Sequence, residues 1–401
     1  MILYIHIPFC ASKCGYCAFN SAVIPDTKLH EAYLQSLIVD IRATLGAYRA
    51  GELLEFLDSG GESSTTKHIP ESTTPKSKNP TALDRANLRS IYIGGGTPSL
   101  LPSHAYERIF AEIDRHCALS KITEITIEAN PNHLNAQWCH DLFSFGVNRI
   151  SMGIQSFCAQ KLRFLERDHN VQDTMRALES ILMFPHRSID VIYGTPLDTP
   201  DNHKTLLHDI NTACALPITH LSAYALTIEE GARFWRKHGL GTNEIHELGD
   251  NATQAQIVRE IASEHGFSQY EVSNFARGHK SLHNRSYWAG EEYLGCGISA
   301  VGRVGQYRYF GQDDLLSYIK TPLHKHLESI SREDLVFEAL FMGLRSDVGV
   351  DLATLRESKK FSNDQERKLA ILLDSGKCVL RGGRLFASDM FLADEIALWL
   401  W

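Results

Sequence analysis

At 401 residues, with 43% apolar and 22% charged residues, the chain has the composition of a globular protein and the length for one large domain and a smaller one. Its 40 Lys and Arg against 48 Asp and Glu leave a net charge of -8 with no basic block, which argues against a nucleic-acid partner. No apolar run reaches the length of a spanning helix, no export signal opens the chain, and the nine cysteines read as reduced thiols, so a cytoplasmic protein is expected.

The first predicted strand covers residues 2–7. Directly after it, at the mouth of the expected sheet, Cys10, Cys14 and Cys17 follow a Cys-x3-Cys-x2-Cys spacing, and the next cysteine is Cys117. Gly15 is expected to ease the tight backbone of this loop. Three close thiols without a nearby fourth suit an iron–sulfur cluster with one iron left open. A closed zinc site is the alternative, but it needs four ligands, commonly in paired Cys-x2-Cys knuckles. Cys117, Cys139, Cys158, Cys214, Cys296 and Cys378 are scattered and are expected to be buried or inert.

Helical periodicity appears at Leu34, Leu37, Ile38, Ile41 and Leu45. It returns at Ile109, Phe110, Ile113 and Cys117, and again at Met175, Leu178, Ile181 and Leu182. Gly146 after Phe145 reads as a helix stop. β-type runs at 90–93, 122–128, 149–154, 189–192 and 220–225 alternate with these helices. Strands each followed by a helix predict a parallel α/β sheet, with the site at the C-terminal ends of its strands. Residues 58–86, rich in Ser, Thr, Pro and Lys, read as a disordered surface insertion.

Gly94-Gly95-Gly96-Thr97-Pro98 places three glycines at a strand end, where backbone N–H and C=O groups would be free to meet a ligand. Neither the spacing nor the lysine of a nucleotide-binding loop is present. Glu128, Gln155, Asp190 and the later Arg167 supply polar groups near other strand ends. Residues 257–266 read as a helix and 270–275 as a strand. From about residue 331, helices at 335–344, 365–373 and 390–400 surround a hairpin turning at Gly382-Gly383, a small winged-helix-like tail. The apolar ending, with Trp399 and Trp401, is expected to pack back on the body.

The Cys-x3-Cys-aromatic-Cys stretch is similar to the signature of the radical S-adenosylmethionine (SAM) superfamily. That resemblance implies a partial (β/α)6 TIM-like barrel with a small C-terminal α+β domain. It also implies a 4Fe–4S cluster on Cys10, Cys14 and Cys17, whose open iron is chelated by the amino and carboxylate groups of SAM. An electron donor would reduce the cluster, and SAM would be cleaved to a 5′-deoxyadenosyl radical. The wider set resembles the oxygen-independent coproporphyrinogen III oxidase family and, within it, a haem-chaperone branch. It comprises Tyr4-Ile-His-Ile-Pro-Phe-Cys10, Gly94 to Leu100, Glu128-Ala-Asn-Pro131, Gly146-Val-Asn-Arg-Ile-Ser151, Gly153-Ile-Gln-Ser-Phe157, Gln269-Tyr-Glu271 and His283-Asn-Arg-Ser-Tyr-Trp288.

By this resemblance Tyr4 and Tyr16 would flank SAM, Gly95, Gly96 and Thr97 would bind its methionine end, and Glu128 its ribose. Gln155, Arg167, Asp190 and Ala225 match further SAM contacts, including those of a second SAM in the oxidase. Phe19 stands where the oxidase resembles Cys-x3-Cys-x2-Cys-x-Cys, and Cys10 follows the start of the chain almost at once. His283-Asn284-x-x-Tyr287-Trp288 resembles the chaperone's HNxxYW motif, linked to haem. An imidazole suits haem iron, and Tyr and Trp offer flat faces to a porphyrin. The expectation is haem binding near His283 and delivery to acceptor haem proteins such as respiratory enzymes, with cluster and SAM regulating assembly or transfer. Decarboxylation of coproporphyrinogen III propionates to vinyl groups is the lesser expectation, and a binding module with a structural metal a third. Ala18, where relatives often have Asp, and Val301, where some have His, depart from the pattern, and a homodimer is left open. The expected division is a core at 1–230, an extension carrying HNxxYW at 231–330 and a tail at 331–401.

Overall fold

The computed structural model describes residues 1–60, 88–198, 203–238, 251–358 and 361–401. Of the insertion expected at 58–86, Asp58 closes a short helix, Leu53–Asp58, and positions 61–86 lie outside the described residues.

Six strands run parallel in chain order: β1 (Ile2–Ile7), β2 (Ser90–Gly95), β3 (Glu124–Ala129), β4 (Arg149–Gln155), β5 (His186–Tyr193) and β6 (His220–Ala225). Strands β1 and β6 do not pair, so the barrel is partial, as expected. The sheet also extends beyond both of them. Two short antiparallel strands, β7 (Ser268–Gln269) and β8 (Asn274–Ala276), continue it past β6. Past β1 come the parallel β9 (Tyr293–Cys296) and the antiparallel β10 (Val301–Val304), β11 (Tyr307–Gly311) and β12 (Lys325–Ser329), twelve strands in all. Of the strand expected at 270–275, Asn274 and Phe275 belong to β8, while residues 270–273 form a turn, closed by hydrogen bonds from Tyr270 N to Asn274 O and from Asn274 N to Glu271 O.

Each barrel strand alternates. Leu3, Ile5, Ile7, Ile91, Ile93, Ile125, Ile127, Ile150, Met152, Ile189, Val191 and Leu221 all join one core with the helices. Each such side chain contributes roughly 1.5–3 kcal/mol relative to exposure. The opposite face carries Tyr4, His6, Ser90, Tyr92, Glu124, Thr126, Glu128, Arg149, Ser151, Ser188, Asp190, His220 and Ser222. The barrel lumen is therefore polar, unlike a barrel filled by branched apolar side chains. Arg149 lies fully buried in it, and its Nε and Nη1 have no described partner.

Helix α1 (Thr27–Ala50) shows how local signals set the outer layer. Asp26 caps it by accepting from Lys28 N, Tyr33, Leu34, Leu37, Ile41 and Leu45 form its buried stripe, and Gly51 ends it at φ +81. Gly146, at φ +101, follows the helix Ala136–Ser144 as expected.

The C-terminal segment has its own core, built from Leu340, Leu344, Leu355, Leu369, Leu372, Ile396 and Leu400. A hairpin of Cys378–Arg381 and Arg384–Ala387 turns at Gly382 and Gly383, both at positive φ. The last helix is Ala393–Leu400 after a single 3-10 turn at Met390–Leu392. Trp401 packs on Phe337 within this same segment, and Leu398 and Trp399 face solvent, so the apolar ending does not return to the barrel as a block.

Candidate functional site

The cysteine loop leaves β1 and is closed at its base, where Phe9–Cys10 pairs with Ala22–Val23 and Ala22 N donates to Pro8 O at 2.9 Å. Within it Cys17 N donates to Cys14 O at 3.2 Å. Lys13 Nζ reaches the carbonyls of Phe19 and Ser21, and Ser12 donates to Asp168 at 3.0 Å. Arg233 ties Lys13 O to Glu166. Gly15 is required for a reason other than backbone torsion. A Cβ there would lie 1.8 Å from the Phe234 ring, whose backbone N–H donates to Gly15 O.

A cleft of about 500 Å³ opens at the C-terminal ends of the barrel strands. The three cysteines line it together with Tyr16, Gly95, Gly96, Thr97, Glu128, Gln155, Arg167, Asp190 and Ala225. Thr97 Oγ1 lies 3.6 Å from Cys10 Sγ, and Arg167 Nη1 donates to Cys14 Sγ at 3.3 Å. The other Arg167 nitrogen holds Asn130 Oδ1 and Gly153 O at 2.8 and 2.9 Å. Among the described residues, no three His, Cys, Asp or Glu side chains converge closely enough to hold a single metal ion.

The glycine run is less free than its composition suggests. Gly95 N donates to Glu128 Oε2, Gly96 N to Ile7 O and Thr97 N to Phe9 O, so its amides are spent inside the protein and only its carbonyls remain to receive a ligand's donors. Gly95 has φ +117, and a Cβ on Gly96 would lie 2.7 Å from Phe9 O. Gly96→Ala is therefore expected to push the start of the cysteine loop off its strand, at a cost of about 1–3 kcal/mol. A urea midpoint equal to wild type would contradict this.

Glu128 accepts from Tyr92 Oη at 2.7 Å as well as from Gly95 N at 3.1 Å. Burial pushes its carboxyl up to about 7, with the nearby Asp190 charge adding to the shift. Burial raises Asp190 too, and Ser151 donates to it at 3.3 Å. Gln155 sits at φ +68 where the β4–β5 register shifts, and its buried Oε1 has no described partner. Asn130, Ser151 and Tyr224, not singled out from sequence, also line the cleft.

Tyr4 and His283 lie elsewhere. They line a second cavity of about 420 Å³ with His6, Phe19, Asn20, Tyr92, Asn284, Tyr287, Tyr293, Ser299 and Val301. Tyr4 thus does not line the cleft itself, and its hydroxyl meets His6 Nδ1 at 3.0 Å. Phe19, 68% exposed, borders both cavities. His283 lies on α2, a helix spanning Leu282–Trp288, whose start is fixed by Glu124. That carboxylate accepts from the backbone N–H groups of Leu282 and His283 and pairs with His279 Nε2 at 2.8 Å. His283 Nδ1 meets Ser90 Oγ at 2.7 Å, while its buried Nε2 has no described partner. Burial pushes the His283 imidazole down to about 3, so it is neutral at ordinary pH. Tyr92 and Tyr287 pack around its ring at 5.1 and 5.0 Å. Trp288 does not line this cavity and lies under the Arg345 guanidinium at 5.8 Å.

A partial barrel with three cysteines gathered at the C-terminal ends of its strands is an architecture of the radical SAM class. The radical SAM superfamily profile matches residues 81–210, and the HemN C-terminal domain profile matches 330–389. The solved coproporphyrinogen III oxidase (HemN) of Escherichia coli superposes with a TM-score of 0.73 at 19% identity, covering 100% of this chain and 89% of that one, a likeness of fold. The heme chaperone HemW of Bacillus subtilis is 31% identical over 381 residues, 93% of this chain and 89% of its own length. That of Escherichia coli is 33% identical over 305 residues, 75% of this chain and 70% of its own. The chain belongs to the heme chaperone HemW family. Among the described residues, no helix is long and apolar enough to cross a membrane.

Proposed function

We propose that this chain binds haem in the aromatic cavity and hands it to acceptor haem proteins such as respiratory enzymes. In this reading the cleft holds a 4Fe–4S cluster and SAM, which regulate assembly or transfer. The observation that carries the haem assignment is His283 Nε2: a buried, neutral imidazole nitrogen without a partner, in a cavity walled by Tyr4, Tyr92, Tyr287 and Tyr293. A neutral imidazole is a haem iron ligand, and flat aromatic faces suit a porphyrin. Cys10, Cys14 and Cys17 would hold the cluster, which when bound offers an open iron to SAM. The carbonyls of Gly95 and Gly96 and the Thr97 hydroxyl would take the SAM amino group, and Glu128 its ribose hydroxyls. Tyr16, Gln155, Arg167, Asp190 and Ala225 would complete that site. Tyr4 is reassigned to the haem cavity, and Val301 lines that same cavity, so His283 is the imidazole assigned to the iron.

The work divides among a core at 1–230, an extension at 231–330 and a tail at 331–401. An electron donor for the cluster and a cytoplasmic or equivalent reducing compartment complete the proposal, with a homodimer open to test by sedimentation. Titration with haem, followed at the Soret band, tests the assignment. His283→Ala, which removes the assigned iron ligand, is expected to weaken binding by at least the roughly 10–100-fold that loss of an outer-shell partner alone costs a metal site. Binding as tight as wild type would exclude His283 as the ligand.

The complete cleft favours a second reading, decarboxylation of coproporphyrinogen III. Phe19 in place of the oxidase's additional cysteine stands against it. Anaerobic incubation with reductant, SAM and coproporphyrinogen III, followed for protoporphyrinogen, decides between the two.

A further inference from the structure

Strand β2 serves both cavities. Ser90 meets His283 of one, Gly95 lines the other, and Tyr92 between them lines the first and reaches the second through Glu128. The Tyr92 ring is part of the aromatic wall, 5.1 Å from the His283 ring and stacked at 6.2 Å on Tyr4. Its hydroxyl points the other way and donates to Glu128 Oε1 at 2.7 Å. Gly94 shows how closely these groups pack, since a Cβ there would lie 2.9 Å from both the Glu128 carboxylate and the Tyr92 ring.

A carboxylate offers about four acceptor positions. Tyr92 and Gly95 occupy one on each oxygen, so hydroxyls of a cleft ligand can be accepted without displacing either. Those added donors favour the charged carboxylate, and a charged acceptor strengthens the Tyr92 hydrogen bond. A more firmly held Tyr92 is a more firmly ordered wall for the second cavity.

We infer that Tyr92 couples the two cavities, positioning Glu128 on one side and forming the wall beside His283 on the other, so that SAM in the cleft tightens haem binding. The inference rests on the assignment of SAM and haem given above. Linkage makes the effect reciprocal: haem must tighten SAM by the same factor.

The test uses cluster-loaded protein without reductant, titrated with haem in the presence and absence of SAM, and with SAM in the presence and absence of haem. Wild type is expected to show the same enhancement in both directions, about fivefold or more, the lower end of measured couplings. Tyr92→Phe keeps the ring and loses the hydroxyl. It is expected to bind both ligands with the enhancement reduced to near one, whereas Tyr287→Phe, altered in the same wall, retains it. An enhancement in Tyr92→Phe equal to wild type, or none in wild type, overturns the coupling while leaving the haem assignment standing. Failure of wild type to bind haem saturably overturns the assignment and the coupling together.

Discussion

Cys14→Ala is expected to leave the protein, after anaerobic reconstitution, with iron and sulfide near background and no spectral response to SAM. The loop offers three thiols, and the remaining cysteines are distributed away from the cleft. Cys117, Cys139, Cys214, Cys296 and Cys378 are buried, and none of them lines the cleft. Loss of Cys14 also removes the sulfur that Arg167 faces, leaving a guanidinium in the cleft where a bound cluster's charge would be compensated. Cys158→Ala, half-buried and outside the cleft, serves as the control and should retain full iron. Zinc in place of iron in the wild-type protein would return the loop to a structural role.

Glu124 governs the next largest effect. It starts α2 through two backbone hydrogen bonds, pairs with His279 and faces the buried Arg149. Burial alone would raise its carboxyl. The His279 hydrogen bond, Arg149 and the two amides outweigh burial and bring it from 4.5 down to about 2. Unfolding therefore raises its pKa. Its contribution is complete above about pH 4.5 and is lost as pH falls toward 2, at about 3 kcal/mol for a shift of this size. Glu128 and Glu271, both raised to about 7 by burial, act oppositely between pH 7 and 4.5, so the wild-type curve alone would mix the two effects. The difference between wild type and Glu124→Gln isolates the Glu124 contribution. That difference should be flat from pH 7 to 5 and shrink below 4.5 in urea unfolding. Glu124→Ala at pH 7 should cost about 3–5 kcal/mol, because it leaves the Arg149 charge buried and uncompensated. A smaller loss would mean that water reaches the lumen.

The six parallel strands and the cleft were legible because each barrel strand carries its own signal and the motifs sit at strand ends. The polar lumen was legible too, in Ser90-Ile-Tyr-Ile, Glu124-Ile-Thr-Ile-Glu128 and Arg149-Ile-Ser-Met, where polar and apolar residues alternate strictly. A parallel sheet buried on both faces reads as a continuous apolar run. The alternation therefore announced a sheet with a polar inner face, a reading not drawn from it. That Tyr4 lines the second cavity was hidden for a related reason. Its neighbours in the chain lead to the cysteine loop, but its register partner is Tyr92, which turns it toward the second cavity. The positive φ of Gln155 left no trace in composition, since glutamine is not a residue that advertises it. Spacing showed three adjacent glycines but not that their amides would be spent on Glu128 and on the residues that begin the cysteine loop. Trp288 shares a short helix with His283 and Tyr287, and which of them faces the cavity depends on the tail packed against the other side.

That short helix has a practical consequence for anyone wishing to trim the protein. While one side presents His283 and Tyr287, the other is fastened to the tail. Arg285 and the adjoining Lys280 pair with Asp347, and Arg345 covers Trp288. The neighbouring turn is fastened as well, through Val272 N to Arg345 O and Asp347 N to Tyr270 O. A chain cut near residue 330 would bare an indole, strand two cations and free the turn, all on the back of the element that bears His283. The smallest fragment that keeps the aromatic cavity in shape therefore includes the tail, and gene fusions or deletions intended to preserve this pocket belong elsewhere in the chain.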